Sequence, residues 1–108
     1  MSVQALWISD HFALPIARHS HNYYQLIYCL HGNGEIEIGE SVYTATPGKA
    51  YLIKPCEMHA ISTTKDMRIA EIKFEIDDEK FENTMDMLPE EVDIDEHVSR
   101  KGEDVFIR

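Results

Sequence analysis

Two histidines separated by one residue, His19 and His21, are the first residues whose types and spacing suggest chemistry. In a β-strand, side chains two residues apart project from the same face, so these imidazoles and Gln25 would share one face. A third histidine, His59, follows much later, just after a proline-containing turn. Buried imidazoles need partners, because burying an unpaired polar group is costly. The set would therefore bind a metal, contact a polar ligand, or hydrogen-bond internally and to water, and the residues alone leave these three open.

Other reactive or aromatic side chains are expected to play smaller parts. Tyr23 shares the histidine face and carries a hydroxyl, so we expect it to contact the same ligand. Cys29 shares that face too, but we expect a small buried apolar residue there. Trp7, the only tryptophan, is expected to pack in the core, and no carboxylate falls clearly on the histidine face. The remaining histidines are expected on the surface or in turns, namely His11, His31 and His97.

Short strands separated by Gly and Pro turns must position these side chains. Residues 15–30 read as one long strand-like stretch, and Gly32-Asn33-Gly34 reads as a turn. Residues 35–38 alternate strictly and lead into a two-residue hairpin turn at Gly39-Glu40. Residues 67–76 alternate between an apolar face and a charged face, which predicts a half-buried strand. Further strands are predicted at 50–54 and 60–63, so the fold class is all-β, a sandwich or barrel.

The end of the chain has a different pattern. Acidic residues from Asp77 onward, followed by Phe81, Met85 and Leu88 at helical spacing, predict a short helix over about 78–88. Residues 89–104 are expected to form a loop, and residues 105–107 a strand or a segment that needs a partner. We therefore divide the chain into a barrel at 1–77 and an acidic helix with a connecting segment at 78–108.

Length and charge exclude several classes of protein. The 108 residues fit one domain, and a hydrophobic fraction of 44% is enough for a core. The formal net charge of −10, concentrated after residue 74, argues against direct binding to nucleic acid or to anionic lipid. No apolar run approaches the roughly 18 residues of a membrane span. Two cysteines without a secretion signal indicate reduced thiols in a cytoplasmic protein.

Two spaced motifs resemble those of the cupins. His19-x-His21-x3-Gln25-x6-Gly32 resembles the first cupin motif, and Gly48 to His59, with a proline between, resembles the second. The resemblance covers roughly residues 5–77 and implies a double-stranded β-helix, or jelly-roll barrel, with inward-pointing histidines. Gln25 stands where cupins usually have Glu, and a neutral amide is a weaker ligand than a carboxylate. We therefore expect a metal-free polar pocket first, and a divalent metal on His19, His21 and His59 second.

A narrower resemblance covers residues 18–26, 32–35 and 47–59, which are similar to the N-terminal effector domain of AraC-type transcription regulators. It implies a barrel that senses a small molecule, often a sugar, a homodimer, and DNA binding through a C-terminal unit absent from this chain. The resemblance also suggests that the N-terminal segment folds over the pocket and offers Trp7 to the ligand. Ligand contacts would come from His19, His21, Tyr23, Gln25 and His59.

Two other functions compete with this sensor, which is not expected to be an enzyme. One is a small metal-dependent cupin enzyme, an isomerase or dioxygenase, that uses His19, His21 and His59 as metal ligands. The other is a barrel that serves only to contact another protein, with its acidic end docked on a basic partner.

Overall fold

The computed structural model describes residues 3–93 and confirms an all-β fold with one short helix. Its strands and helix, in chain order, are β1 (Val3–Phe12), β2 (Ile16–His19), β3 (Tyr24–Ile38), β4 (Ser41–Ala45), β5 (Lys49–Ile53), β6 (His59–Ile76), α1 (Glu79–Asp86) and β7 (Glu91–Asp93). This helix is not long and apolar enough to cross a membrane. The strand expected at 105–107 and the position of His97 lie outside the described residues.

The two longest strands, β3 and β6, pair antiparallel along almost their whole length, from Tyr24↔Phe74 to Ile38↔His59. The first half of β3 and the second half of β6 form one set, in which β5 pairs with β3 and β1 pairs with β6. The other halves form a second set, in which β4 pairs with β3 and β2 pairs with β6. Ile27 and Ile69 of the first set pack in one buried cluster with Ile36 and Ile61 of the second. The sheet therefore folds over on itself into the two layers of a jelly-roll barrel.

The bend between the layers lies where the pairing of β3 and β6 shifts register, around His31. Gly32 has a φ of +73°, and a Cβ there would lie 2.2 Å from the backbone oxygen of Asp66. Only glycine permits this close approach of the two strands. The turn expected at Gly32-Asn33-Gly34 is therefore wrong as a connection between strands, because β3 continues through it as a bend.

The long strand expected over residues 15–30 is also wrong, since β2 ends at His19 and β3 begins at Tyr24. The hairpin turn at Gly39-Glu40 is confirmed, because Ile38 pairs with Ser41 across it. The loop expected over 89–104 is partly wrong. Glu91–Asp93 forms β7, which pairs with β5 through Ala50↔Val92.

The alternation in residues 67–76 is confirmed, but the expectation that the charged face is exposed to solvent is wrong. Met67, Ile69 and Glu71 are buried inside the barrel. Phe74, from the other parity, packs on the outer side in a second cluster with Tyr24, Leu52 and Met85 of α1. Helix α1 occupies the expected place and begins after Asp78, whose Oδ1 accepts a hydrogen bond from the Phe81 amide at 3.0 Å.

Candidate ligand and metal site

A cavity of about 450 Å³ lies inside the barrel, at the end opposite the bend. This is within the range of small-molecule sites. All five residues expected to contact a ligand line it. Its walls come from both layers and from the link between β1 and β2. The principal lining residues are Trp7, His11, His19, His21, Tyr23, Gln25, Ile27, Ile36, Ile53, His59, Ile61, Ile69, Glu71 and Lys73.

Strand pairing brings the third histidine to the other two. Strand β2 pairs antiparallel with β6 so that His19 lies opposite His59. The ring centroids of His19 and His59 are 4.2 Å apart, and those of His21 and His59 are 4.6 Å apart. Each ring offers one nitrogen to a group of ligand atoms that all lie within 4.8 Å of one another. We call His19, His21 and His59 the imidazole cluster.

Hydrogen bonds orient every ring of the imidazole cluster in the same way. The Nδ1 atoms of His19, His21 and His59 lie 2.9, 3.0 and 2.9 Å from the backbone oxygens of Ala17, Tyr23 and Glu57 respectively. A carbonyl oxygen only accepts, so each Nδ1 carries the hydrogen and a neutral ring keeps its lone pair on Nε2. The Nε2 of His59 is buried and has no hydrogen-bond partner within residues 3–93.

Burial lowers the pKa of His59, and the nearby His19, His21 and Lys73 lower it further, while the hydrogen bond to the Glu57 oxygen opposes them. The ring is therefore kept neutral, with an electron pair directed into the cavity. An unpartnered buried acceptor is costly unless a donor or a metal satisfies it. His59 is thus the ring of the cluster that most needs a bound group.

Gln25 adds an oxygen beside the cluster. Its Oε1 lies 2.9 Å from Nε2 of His21, and its Nε2 donates to Oε2 of Glu71 at 3.4 Å. Both nitrogens of His21 thus face acceptor oxygens, although a neutral imidazole has one hydrogen to donate. With metal–ligand bonds of about 2.1 Å, two ligands at a right angle lie about 3 Å apart. The separation of these two atoms therefore suits neighbouring ligands of one cation.

The donors of this site fit a divalent metal by their chemistry. Three imidazole nitrogens suit zinc, iron, nickel or copper, and an amide oxygen is a neutral fourth donor. The Nδ1 contacts supply the outer hydrogen bonds that usually orient metal-binding histidines. The buried Nε2 of His59 is the specific atom that such an ion would satisfy. The residues present therefore fit a metal, although no carboxylate belongs to the cluster itself.

Glu71 is the cavity residue that sequence reasoning missed. Its side chain is only 8% exposed and its oxygens lie 3.6 Å from Nζ of Lys73 and 3.7 Å from Nε2 of His11. Its position four residues after Met67 and two after Ile69, in the same parity, was the available signal. His11 is exposed as expected, yet it also lines the cavity.

The aromatic residues at the cavity differ in their roles. The ring of Tyr23 stacks on His21 with centroids 3.9 Å apart and planes 4° apart. Trp7 is 53% exposed and lines the cavity, so its expected place in the core is wrong. Lys73 Nζ lies 5.9 Å from the centroid of the Trp7 ring. His31 is exposed at the bend, apart from the cavity, and Cys29 is buried as expected.

Comparison with known proteins agrees with this architecture. The family described as the AraC-like ligand binding domain matches residues 9–95. An L-ectoine synthase from Saccharophagus degradans is 32% identical over 54 residues, which are 48% of this chain. The chain spans only 41% of the length of that enzyme.

Solved structures with related folds have low sequence identity. A conserved protein of unknown function from Streptococcus pyogenes superposes with a TM-score of 0.57 at 19% identity, over 66% of this chain and 65% of that one. Oxalate decarboxylase of Bacillus subtilis, an enzyme with Mn(II) centres, gives a TM-score of 0.55 at 14% identity, over 67% of this chain and 21% of that one. At these identities the likeness shows the fold alone.

Proposed function

Because the chain belongs to the family of AraC-like ligand binding domains, we propose that it is a sensor domain whose small-molecule effector binds inside the barrel. The observation that carries this proposal is the cavity of about 450 Å³ with the buried Nε2 of His59, which has no hydrogen-bond partner in the described part of the chain. A buried polar atom without a hydrogen-bond partner is normally satisfied by a bound group, and the cavity is large enough to hold one. His19, His21, Tyr23, Gln25 and His59 are the proposed contacts.

The proposed signal is a population shift rather than a chemical step. Strand β1 pairs only with β6 among the described strands, and it carries Trp7 and His11 to the cavity edge. An effector that contacts these side chains would favour one position of β1 over another. The shift in this equilibrium is set by the difference in the effector's affinity for the two positions. A homodimer and a linked DNA-binding unit in the cytoplasm would convert that shift into regulation of transcription.

The imidazole cluster would hold a divalent cation through His19, His21 and His59, with Oε1 of Gln25 beside it. When bound, such an ion supplies a positive centre for an oxygen of the effector. The protein's own part is to orient the three rings through their Nδ1 contacts, so that each Nε2 is left for the ion.

A thermal-shift screen with sugars, sugar acids, aromatic metabolites and short carboxylates tests the sensor. We expect at least one class to raise the melting temperature of the wild type, since a ligand that binds only the folded state stabilises it. The variant Gln25→Leu should lose that shift. Val42→Ala, at an exposed position of β4, should keep it. The sensor proposal fails if no compound shifts the wild type.

A metal-dependent enzyme is the second candidate, and the buried Glu71 is the observation that favours it. This carboxylate lies in the same cavity as the cluster and lies next to the Gln25 amide, so it could take or return a proton of a bound substrate. Metal analysis of protein purified without chelator tests the enzyme, because the enzyme requires the ion and the sensor does not. Metal well below one equivalent per chain would exclude the enzyme and leave the sensor.

A further inference from the structure

The cavity has one polar region and one apolar region, and strand register shows how they are arranged. Gln25 pairs with Lys73, and His19 pairs with His59, at the end of the barrel away from the bend. Closer to the bend, Ile36 pairs with Ile61 and Ile69 pairs with Cys29. The cavity therefore has a polar mouth and a mainly apolar floor of isoleucine side chains, formed by Ile27, Ile36, Ile61 and Ile69, with Glu71 opposite Ile27 at its edge.

The polar mouth favours a negatively charged oxygen. Its described donors to a metal, three imidazoles and one amide, are all neutral, so a bound divalent cation would keep its whole charge there. Lys73 lies at the cavity wall, where its Nζ is 3.6 Å from Oε1 of Glu71 and balances the charge of that carboxylate. The one carboxylate of the lining, Glu71, is already engaged by Lys73, His11 and Gln25. A negatively charged oxygen of the ligand would thus face the charge of the bound cation. No carboxylate of the imidazole cluster would compete with it for that cation.

The isoleucine floor disfavours a polyhydroxylated ligand. A sugar has hydroxyl groups on all sides, and those that face the floor would be buried without partners. Each such hydroxyl should weaken binding by about tenfold. A hydrocarbon body on the same floor gains about fourfold in affinity for each buried methylene.

We propose that the effector is a compact amphipathic carboxylate, with its carboxylate at the imidazole cluster and its apolar body on the isoleucine floor. This proposal rests on the proposed sensor function and names the chemical class of its ligand. It departs from the sugar that the sequence resemblance suggested.

The fluorescence of Trp7 provides the test, because this single tryptophan lines the cavity. The full chain, with and without one equivalent of Zn²⁺, is titrated with propanoate, butanoate, pentanoate and hexanoate, and separately with arabinose, galactose and hexanol. We expect Kd to fall about fourfold per methylene along the carboxylate series. Hexanoate should bind more tightly than hexanol and than either sugar, and added Zn²⁺ should strengthen the binding of the carboxylates.

Matched variants locate the two parts of the ligand. Ile61→Val removes one carbon from the floor and should weaken hexanoate about fourfold while it leaves propanoate nearly unchanged. Ile8→Val makes the same chemical change on the exposed outer face of β1 and should alter neither. His59→Gln should weaken every carboxylate by a similar factor. A circular dichroism melt of each variant shows whether it is folded, and Ile36→Val, the same change at another residue of the floor, replaces Ile61→Val if that variant unfolds.

The outcomes distinguish the amphipathic carboxylate proposal from the sensor proposal on which it rests. Tighter binding of arabinose or galactose than of any carboxylate overturns the amphipathic carboxylate and leaves the sensor intact. An affinity that does not change with chain length also overturns it. If no probe changes the Trp7 signal or the melting temperature, and the wider screen is also silent, both proposals fail.

Discussion

The amide of Gln25 donates from Nε2 to Oε2 of the buried Glu71 at 3.4 Å, while its own Oε1 lies 2.9 Å from Nε2 of His21. Glu71 accepts hydrogen bonds when ionised and has none to donate, so it favours one of the two orientations of the amide. The oxygen of Gln25 therefore faces the imidazole cluster. Glu71 acts on the cluster through Gln25, as a positioning residue.

Replacement of Glu71 by Gln should weaken the binding of Zn²⁺ about tenfold or more, because outer hydrogen bonds usually contribute that much to metal affinity. The measurement is Kd from competition with a chromophoric chelator. Glu35→Gln, at an exposed site on β3 that contacts Ser62, is the control and should bind as the wild type does.

A double variant separates positioning from a general structural effect. In a Gln25→Leu background, Glu71→Gln should cause little further loss of Zn²⁺ affinity, because the amide that it orients is gone. Losses that add fully in the double variant would show that Glu71 acts independently of Gln25.

Zn²⁺ should stabilise the protein through the imidazole cluster. At a free concentration of about 100 times Kd, a ligand of the folded state contributes about 2.7 kcal/mol, or more than about 10 °C in Tm for a domain of this size. His59→Gln should lose most of this shift in differential scanning calorimetry. His31→Gln, at an exposed histidine away from the cluster, should keep it, and a loss there would point to non-specific metal binding.

Gly32→Ala should destabilise the barrel much more than Gly39→Ala. Both glycines have positive φ, so each variant pays roughly 1–2 kcal/mol for the left-handed conformation. At Gly32 the new Cβ would also lie 2.2 Å from the Asp66 oxygen, whereas at Gly39 nothing lies within 4 Å. We expect a further loss of about 1–3 kcal/mol at Gly32 in urea unfolding. Equal losses at both positions would contradict the close approach at the bend.

Tyr24 should make stability fall at alkaline pH. Burial raises the pKa of Tyr24, and the hydrogen bond to Asp86 Oδ1 and the charges of Asp86 and Glu82 raise it further. The unfolded chain would lose this proton near pH 10, while the folded chain retains it. Stability is therefore complete below about pH 10 and falls above it, by at most about 1.4 kcal/mol per pH unit for this group.

The variant Tyr24→Phe tests that assignment by urea unfolding at several pH values. It should cost about 1 kcal/mol at pH 7 through the lost hydrogen bond. Above pH 10 its stability should fall less steeply than that of the wild type, although Tyr51, whose pKa burial also raises, remains. Parallel curves for the two proteins would show that Tyr24 does not contribute.

Local patterns in the sequence were sufficient for several parts of the fold. Gly39-Glu40 defines its hairpin, and Asp78 caps its helix, because both depend on neighbours within a few residues. The spacing of His19 and Gln25 places both on the cavity side, although β2 ends between them. The motif resemblance alone predicts the jelly-roll barrel, and the pairing of the strands agrees with it.

Only the tertiary structure decided which face of each strand is inside. Alternation in residues 67–76 shows that Glu71 shares a face with Ile69, but the period of two is the same whichever face is buried. Pairing of β6 with β1, β2 and β3 then turned Glu71 inward and set His59 opposite His19. These contacts join residues distant in the chain, so they depend on strand register. The sequence by itself supplied the imidazoles, and the folded sheet brought them together and gave them Gln25 and Glu71 as neighbours.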